Sequence, residues 1–171
     1  LRGIPGRLES IDRGQKFGVV VDFSYKPSAL AAITSALQQI TKGKLIVVWG
    51  GAGGRAAENW HACAEILDKK SDEIILTTDD PGDTDPKKIA KEISKKINRK
   101  EGDRFFEIED RYEAIRYAIY AAEPGDTVLI AGRGHEKIQK IGKKNIVFDD
   151  RDVAREILEF AEKQNLLEKK K

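Results

Sequence analysis

The chain has 171 residues, with no methionine, a single cysteine and only 7% aromatic residues. No apolar run approaches the ~18–20 residues that a membrane-spanning helix needs. No signal-peptide pattern opens it. With Cys63 alone there is no internal disulfide, which suits a reducing cytoplasm. Neither sign of charge dominates: 31 basic and 29 acidic residues give a net charge of +2, so nothing marks a nucleic-acid surface. The terminal run Lys169-Lys170-Lys171 reads as a frayed basic tail over 166–171 rather than a binding arm. The missing methionine, with Leu1 at the start, leads us to expect a piece of a longer protein. Two nucleotide motifs are also absent. There is no G-x-x-x-x-G-K-[ST], and Gly51, Gly53 and Gly54 lack the third glycine of G-x-G-x-x-G.

What is present is an alternation of short apolar runs and amphipathic stretches. Phe17–Asp22, Leu45–Trp49, Glu73–Thr77 and Thr127–Ala131 read as buried strands, with Arg104–Ile108 and Asn145–Phe148 as shorter ones. Pro27 opens a helix that sets Leu30, Ile33, Leu37 and Ile40 on one face, and Gly43 stops it. Glu58–Leu67 turns Trp60, Cys63, Ala64 and Leu67 inward. Asp85-Pro86 reads as an N-cap and first helical residue ahead of Ile89, Ile93 and Ile97. Asp110 and Glu113 form a capping pair ahead of Ile115, Ala118, Ile119 and Ala122, and Val153, Ile157 and Ala161 mark a closing helix. The expected fold is α/β: a Rossmann-like, mostly parallel sheet of about six strands with helices on both faces. Residues 1–16 would be a linker and domain entry, and 17–165 the domain itself.

In such a sheet the strand carboxyl ends share one edge, where ligands bind. Four polar or glycine-rich segments fall there: Asp22–Lys26, Gly50–Arg55, Thr78–Asp85 and Gly132–Glu136. The glycines after Trp49 would let a backbone approach a phosphate, or merely make a tight turn. Asp79, Asp80, Asp83 and Asp85 crowd one loop. They suit a cation, a substrate ammonium group, or a solvated turn in which Asp85 only caps the next helix. In Gly132-Arg133-Gly134-His135-Glu136 the arginine can take a carboxylate and the glutamate an amine. Asp22 could hold a ribose hydroxyl and Tyr25 could stack on a base. His61 and Cys63 read as structural, and no residue stands out as a proton-transfer catalyst or metal ligand.

Taken together, the segments resemble the C-terminal domain of the Mur ligase family, and within it the ligases that add the third amino acid to UDP-N-acetylmuramoyl-dipeptide. The matching stretches are Gly3-Ile-Pro-Gly-Arg7-Leu-Glu9, Asp22-Phe-Ser-Tyr-Lys-Pro27, Gly50-Gly-Ala-Gly-Gly-Arg55, Asp79-Asp-Pro-Gly-Asp-Thr-Asp-Pro86, Gly132-Arg-Gly-His-Glu136 and Phe148-Asp-Asp150. The resemblance implies an ATP-dependent amide ligase that works through an acyl phosphate in peptidoglycan synthesis. ATP and Mg2+ would be held mainly by a central domain outside this chain, and the UDP-sugar by an N-terminal domain. This domain would be a substrate-selecting lid, inactive alone. Arg7, Asp22 and Tyr25 take nucleotide-contacting positions, whereas Arg55, Asp79, Asp80, Gly132 and Glu136 line the pocket for a free amino acid.

The chain departs from the family pattern in places. Gly54 and Ala56 replace the acids of D-R-D, and Asn59-Trp60 replace a Lys-Arg expected beside the phosphates. Gly82 replaces the arginine of D-N-P-R. Without that guanidinium, and with extra carboxylates, a side chain ending in an amine, such as lysine, is favoured electrostatically over diaminopimelate. Readings from other classes are a stand-alone Rossmann-like binding module, a degenerate paralogue, and a folylpolyglutamate- or cyanophycin-type ligase. A nicotinamide oxidoreductase fits least, because the glycine spacing is wrong.

Overall fold

The computed structural model describes residues 4–164. The expected basic tail, and Gly3 and Leu1, lie outside them. Strands are β1 (Glu9–Ser10), β2 (Gly18–Asp22), β3 (Leu45–Trp49), β4 (Glu73–Leu76), β5 (Phe105–Glu107), β6 (Thr127–Ala131), β7 (Ile138–Ile141) and β8 (Lys144–Val147). Helices are α1 (Pro27–Ile40), α2 (Ala57–Lys70), α3 (Pro86–Ser94), α4 (Arg111–Ala121) and α5 (Asp150–Lys163). The main sheet has six strands in the order β1-β2-β6-β3-β4-β5, parallel except for the antiparallel edge β1.

The central strands β3 (LIVVW) and β6 (TVLIA) are buried at every position. Alternate side chains serve opposite faces, so each strand feeds two cores. Leu45, Val47, Trp49, Leu129 and Ala131 pack with α1, α2 and α3. Ile46, Val48, Val128 and Ile130 pack with α4 and α5. Each fully buried Leu or Ile contributes roughly 1.5–3 kcal/mol over its exposed state. Helices therefore cover both faces, as expected. Among the described residues no helix is long and apolar enough to cross a membrane.

Three details differ from the sequence reading. The sixth strand of the sheet is β1, not Asn145–Phe148; β8 instead pairs with the unanticipated β7 in a separate hairpin. Ile40, the last residue of α1, is 72% exposed, whereas Leu37 one turn earlier is buried. Ile97 is buried but lies beyond the end of α3 at Ser94.

The entry segment is fastened to the domain rather than hanging from it. Glu9 accepts from the Gly6 N–H at 2.8 Å and pairs with Arg151 and Arg155 of α5 at 3.5 and 2.5 Å. Leu8, at φ +47, donates its N–H to Asp22 Oδ2 at 2.8 Å. Gly6 tucks against the β6–β7 loop so closely that a Cβ there would sit 2.2 Å from the His135 nitrogen.

Candidate functional site

The loops after β2, β3, β4 and β6 meet at the carboxyl edge of the sheet. There they enclose a cleft of about 230 Å3 lined by Phe23, Tyr25, residues 52–55, Asp79, Asp80, Gly132 and Glu136. The structure thus brings together Arg55, Asp79, Asp80, Gly132, Glu136 and Tyr25, which lie far apart in sequence. A cleft smaller than the ~300–1,000 Å3 of drug-sized ligand sites suits one small molecule. A wider cleft of about 560 Å3 opens between α3 and the ends of β4 and β5, floored by Leu76, Ala90 and Ile108; no sequence-predicted site residue lines it. Size alone does not choose between the two. The converging charges favour the smaller.

Its floor depends on two close approaches. Gly53 donates its N–H to the Asp80 carbonyl at 2.9 Å, and a Cβ on Gly53 would lie 1.8 Å from the Pro81 oxygen. The glycines after β3 therefore seat the acidic turn rather than open onto a phosphate. Gly132, at φ +113, leaves the space that Asp79 fills, since a Cβ there would lie 2.3 Å from Asp79 Oδ2. Gly132→Ala should displace the Asp79 carboxylate and strain the backbone as well. A loss of about 2 kcal/mol or more in thermal unfolding is expected; an unchanged melt would contradict this packing.

The β7–β8 hairpin holds the acidic turn from the other side. Gln139 Nε2 donates to the Asp79 carbonyl at 2.5 Å, and the Lys140 N–H donates to Asp80 Oδ1 at 2.6 Å. Gly82, at φ +54, donates to the Lys140 carbonyl at 3.0 Å and accepts from the Gly142 N–H at 2.7 Å. Of the four aspartates, only Asp79 and Asp80 line the cleft. Asp83 is exposed, and Asp85 caps α3 by accepting from the Lys87 N–H at 2.9 Å. The extra carboxylates invoked for a lysine side chain do not line the cleft, so that half of the argument loses its basis; Gly82 in place of an arginine stands. Among the described residues no three His, Cys, Asp or Glu side chains gather as a metal site.

Asp79 is 3% exposed, and its Oδ2 has no hydrogen-bond partner among the described residues. Burial pushes its carboxyl up to about 7, against the pull of Arg111 and Arg133. Burial likewise raises the Glu136 carboxyl, opposed by Arg133. Behind them Arg111 makes a two-pronged pair with Asp150, 2.8 Å at each bond, and donates to the Ala131 carbonyl at 3.1 Å. Sequence reasoning missed Arg111. It heads the inward row Ile115, Ala118, Ile119 of α4, where the helical period calls for an apolar residue, and that mismatch was the available signal.

Arg133 overturns another reading. Its side chain is fully buried, with one nitrogen 3.3 Å from the Phe148 carbonyl and another 3.9 Å from Glu136. It cannot reach a substrate carboxylate. Trp60 also faces the core and donates to the Ala52 carbonyl at 3.0 Å, so position 60 does not present a charge to a phosphate. Cys63 is buried in the core, and burial pushes its thiol up to about 12, which leaves it inert. His61 pairs with Glu92 at 3.5 Å between α2 and α3.

At the outer rim, Phe23 meets Tyr25 at 4.9 Å and the His135 ring at 5.0 Å. Arg7 lies 5.4 Å over Phe23, and Arg55 lies 5.1 Å over Tyr25. Asp22 accepts from the Leu8 N–H and the Ser24 hydroxyl, one on each oxygen, which leaves a further lone pair on each.

Residues 6–134 match the family model described as "Mur ligase, glutamate ligase domain". The UDP-N-acetylmuramoyl-L-alanyl-D-glutamate–2,6-diaminopimelate ligase of Syntrophomonas wolfei is 41% identical over 158 residues, 92% of this chain. The ligase of the same name from Alkaliphilus metalliredigens is 43% identical over 155 residues, 91% of the chain. The chain spans only 32% and 31% of those proteins' lengths. A solved structure of a ligase of that name superposes with a TM-score of 0.85 at 32% identity, covering 95% of this chain and 33% of that one. A folylpolyglutamate synthase/dihydrofolate synthase from Yersinia pestis, at 16% identity and TM-score 0.59 over 92% of this chain and 31% of its own, shows the shared fold alone. The motif order, the sheet topology and these matches lead to one conclusion: the chain belongs to the Mur ligase, glutamate ligase domain family.

Proposed function

We propose that this chain is the substrate-selecting C-terminal domain of an ATP-dependent amide ligase. The enzyme adds the third amino acid to UDP-N-acetylmuramoyl-dipeptide in the cytoplasm, and that amino acid is 2,6-diaminopimelate. One observation carries the reading: a guanidinium, Arg55, and three carboxylates, Asp79, Asp80 and Glu136, line one small cleft. An amino acid needs such a pairing of charges. Arg55 takes a carboxylate, and the acidic side takes an ammonium group, each through charge-assisted hydrogen bonds.

Diaminopimelate, the amino acid in the relatives' names, carries two of each group. Lysine is the weaker candidate, since Asp83 and Asp85 point elsewhere. Tyr25, Asp22 and Arg7 form the adjoining rim and face the nucleotide when the domain closes. ATP supplies the phosphoryl group that makes the dipeptide carboxylate electrophilic, and its phosphates and Mg2+ are held mainly by the central domain. This chain's contribution is positioning: it orients the amine for attack and excludes water.

The test is phosphate release by the full-length protein with ATP and UDP-N-acetylmuramoyl-dipeptide. We expect turnover to require an added amino acid and to favour diaminopimelate over lysine by ~10-fold or more, the worth of one further charge-assisted hydrogen bond. A preference for lysine, or release independent of any amino acid, would overturn the proposal.

A further inference from the structure

Three buried polar atoms at the base of the cleft lack hydrogen-bond partners among the described residues: Asp79 Oδ2, Arg133 Nε and Arg133 Nη1. Native interiors leave few such groups, and a buried guanidinium is among the most unfavourable. Asp79 and Arg133 are also neighbours through Gly132, whose missing Cβ is the space the carboxylate occupies.

Arg111, the other buried cation here, is committed to Asp150 by two short bonds. Its hydrogen bonds to a carboxylate are taken up by that pair. Arg133 is uncommitted. It stands 3.9 Å from Glu136, too far for a hydrogen bond, and among the described residues its side chain donates only to the Phe148 carbonyl. A guanidinium that closed on either carboxylate would use up the lone pairs a ligand needs. Held back, it supplies charge without using acceptors.

We propose that Arg133 is a positioning residue that never touches the ligand: from beneath the cleft its charge opposes the effect of burial on Asp79 and Glu136, so that they can ionise with acceptors free for an ammonium group. The inference rests on the amino-acid-binding reading of the cleft and deepens it. Arg111 pulls on Asp79 more strongly than Arg133 does, but it is opposed there by Asp150, with which it is paired; Arg133 and Arg55 against Asp79, Asp80 and Glu136 still leave an excess of acidic groups, the sign an ammonium group needs. Asp79 is faced by Arg111 from α4, Asp150 from α5, and Arg133 and Glu136 from the loop after β6. Glu136 is faced by Arg133, His135, Asp80 and Asp150, and Arg55 closes the rim. Among the described cations facing both acids, Arg133 is the one that is buried and free of an ion pair closer than 3.9 Å.

The deciding experiment has two arms. The first is a carbon-13 carboxyl NMR titration of this chain as wild type, Arg133→Met and Arg133→Lys. The Asp79 and Glu136 midpoints should rise by one pH unit or more in Arg133→Met and stay near wild type in Arg133→Lys. Unmoved midpoints in Arg133→Met, or equal shifts in both variants, would overturn the proposal. Should Arg133→Met fail to fold, the wild type decides. The guanidinium carbon of Arg133 must follow the Asp79 titration with the same midpoint, and a flat signal would sink the idea.

The second arm uses the full-length enzyme. In Arg133→Met the KM for the amino acid should rise about fivefold at pH 7, since a one-unit rise from a midpoint near 7 takes the ionised fraction from about one half to about one eleventh, with kcat little changed. The fall of KM with pH should move to higher pH, and Arg133→Lys should rescue both. A drop in kcat alone would contradict a positioning role. A wild-type enzyme with no amino-acid-dependent turnover would refute the ligase reading instead, and the carboxyl titration would still decide what Arg133 does.

Discussion

Asp79→Asn should make the fold more stable above pH 7 and make amino-acid binding at least ~10-fold weaker, the loss of a charge-assisted hydrogen bond. The carboxyl titrates near 3.8 in an unfolded chain but is pushed up to about 7 by burial in the folded one. Between those values the unfolded chain has already lost its proton and the folded one has kept it. Any stability tied to this group is thus fully present below about pH 4 and is lost as pH rises through about 7. At about 1.4 kcal/mol per pKa unit, the penalty above pH 7 has an upper bound of about 4 kcal/mol. Asparagine does not ionise and escapes it. Denaturant unfolding at pH 5 and pH 8 reads the effect: the variant's advantage should grow with pH. An advantage that is the same at both, or a variant less stable at pH 8, would show that Asp79 is not a strained acid.

Asp150→Asn should destabilise the chain by about 3–5 kcal/mol, because it leaves the Arg111 guanidinium buried without its counter-charge. That corresponds to a fall of roughly 10 °C in melting temperature for a domain of this size. Arg111 and Asp150 are 1% and 0% exposed, and they join the first turns of α4 and α5. The damage should reach the cleft. Arg111 also donates to the Ala131 carbonyl, next to Gly132, and lies 3.5 Å from the Thr78 carbonyl, next to Asp79. A melting temperature within a degree or two of wild type would contradict this account. Replacing both partners by apolar residues of similar size should recover much of the loss, since only the unmatched charge is costly.

Much of this was legible in the chain. Unbroken apolar runs located β3, β4 and β6, because strands covered on both faces need no alternation. Asp85 and Asp110 announced their helices through cap chemistry, and each accepts the backbone N–H it should. The cleft was foreseen through a simple rule: polar loops after parallel strands meet at one edge.

What was not legible depends on tertiary surroundings. The β7–β8 hairpin is polar and largely exposed, so no apolar period marks it. Its role is to seat Asp79 and Asp80 through Gln139 and Lys140. Arg133 looked like a ligand-gripping arginine because it sits between two glycines. Only the packed structure shows it turned inward under the Phe148 carbonyl. Asp79, Asp80 and Asp83 looked alike in sequence, yet only the first two line the cleft.

A structure of the full-length protein with diaminopimelate bound is the most direct measurement. The account predicts an amino group within hydrogen-bonding distance of Asp79 or Glu136, a carboxylate on Arg55, and Arg133 untouched beneath them. An amino acid seated instead in the cleft beside α3, or one gripped by Arg133 itself, would contradict it.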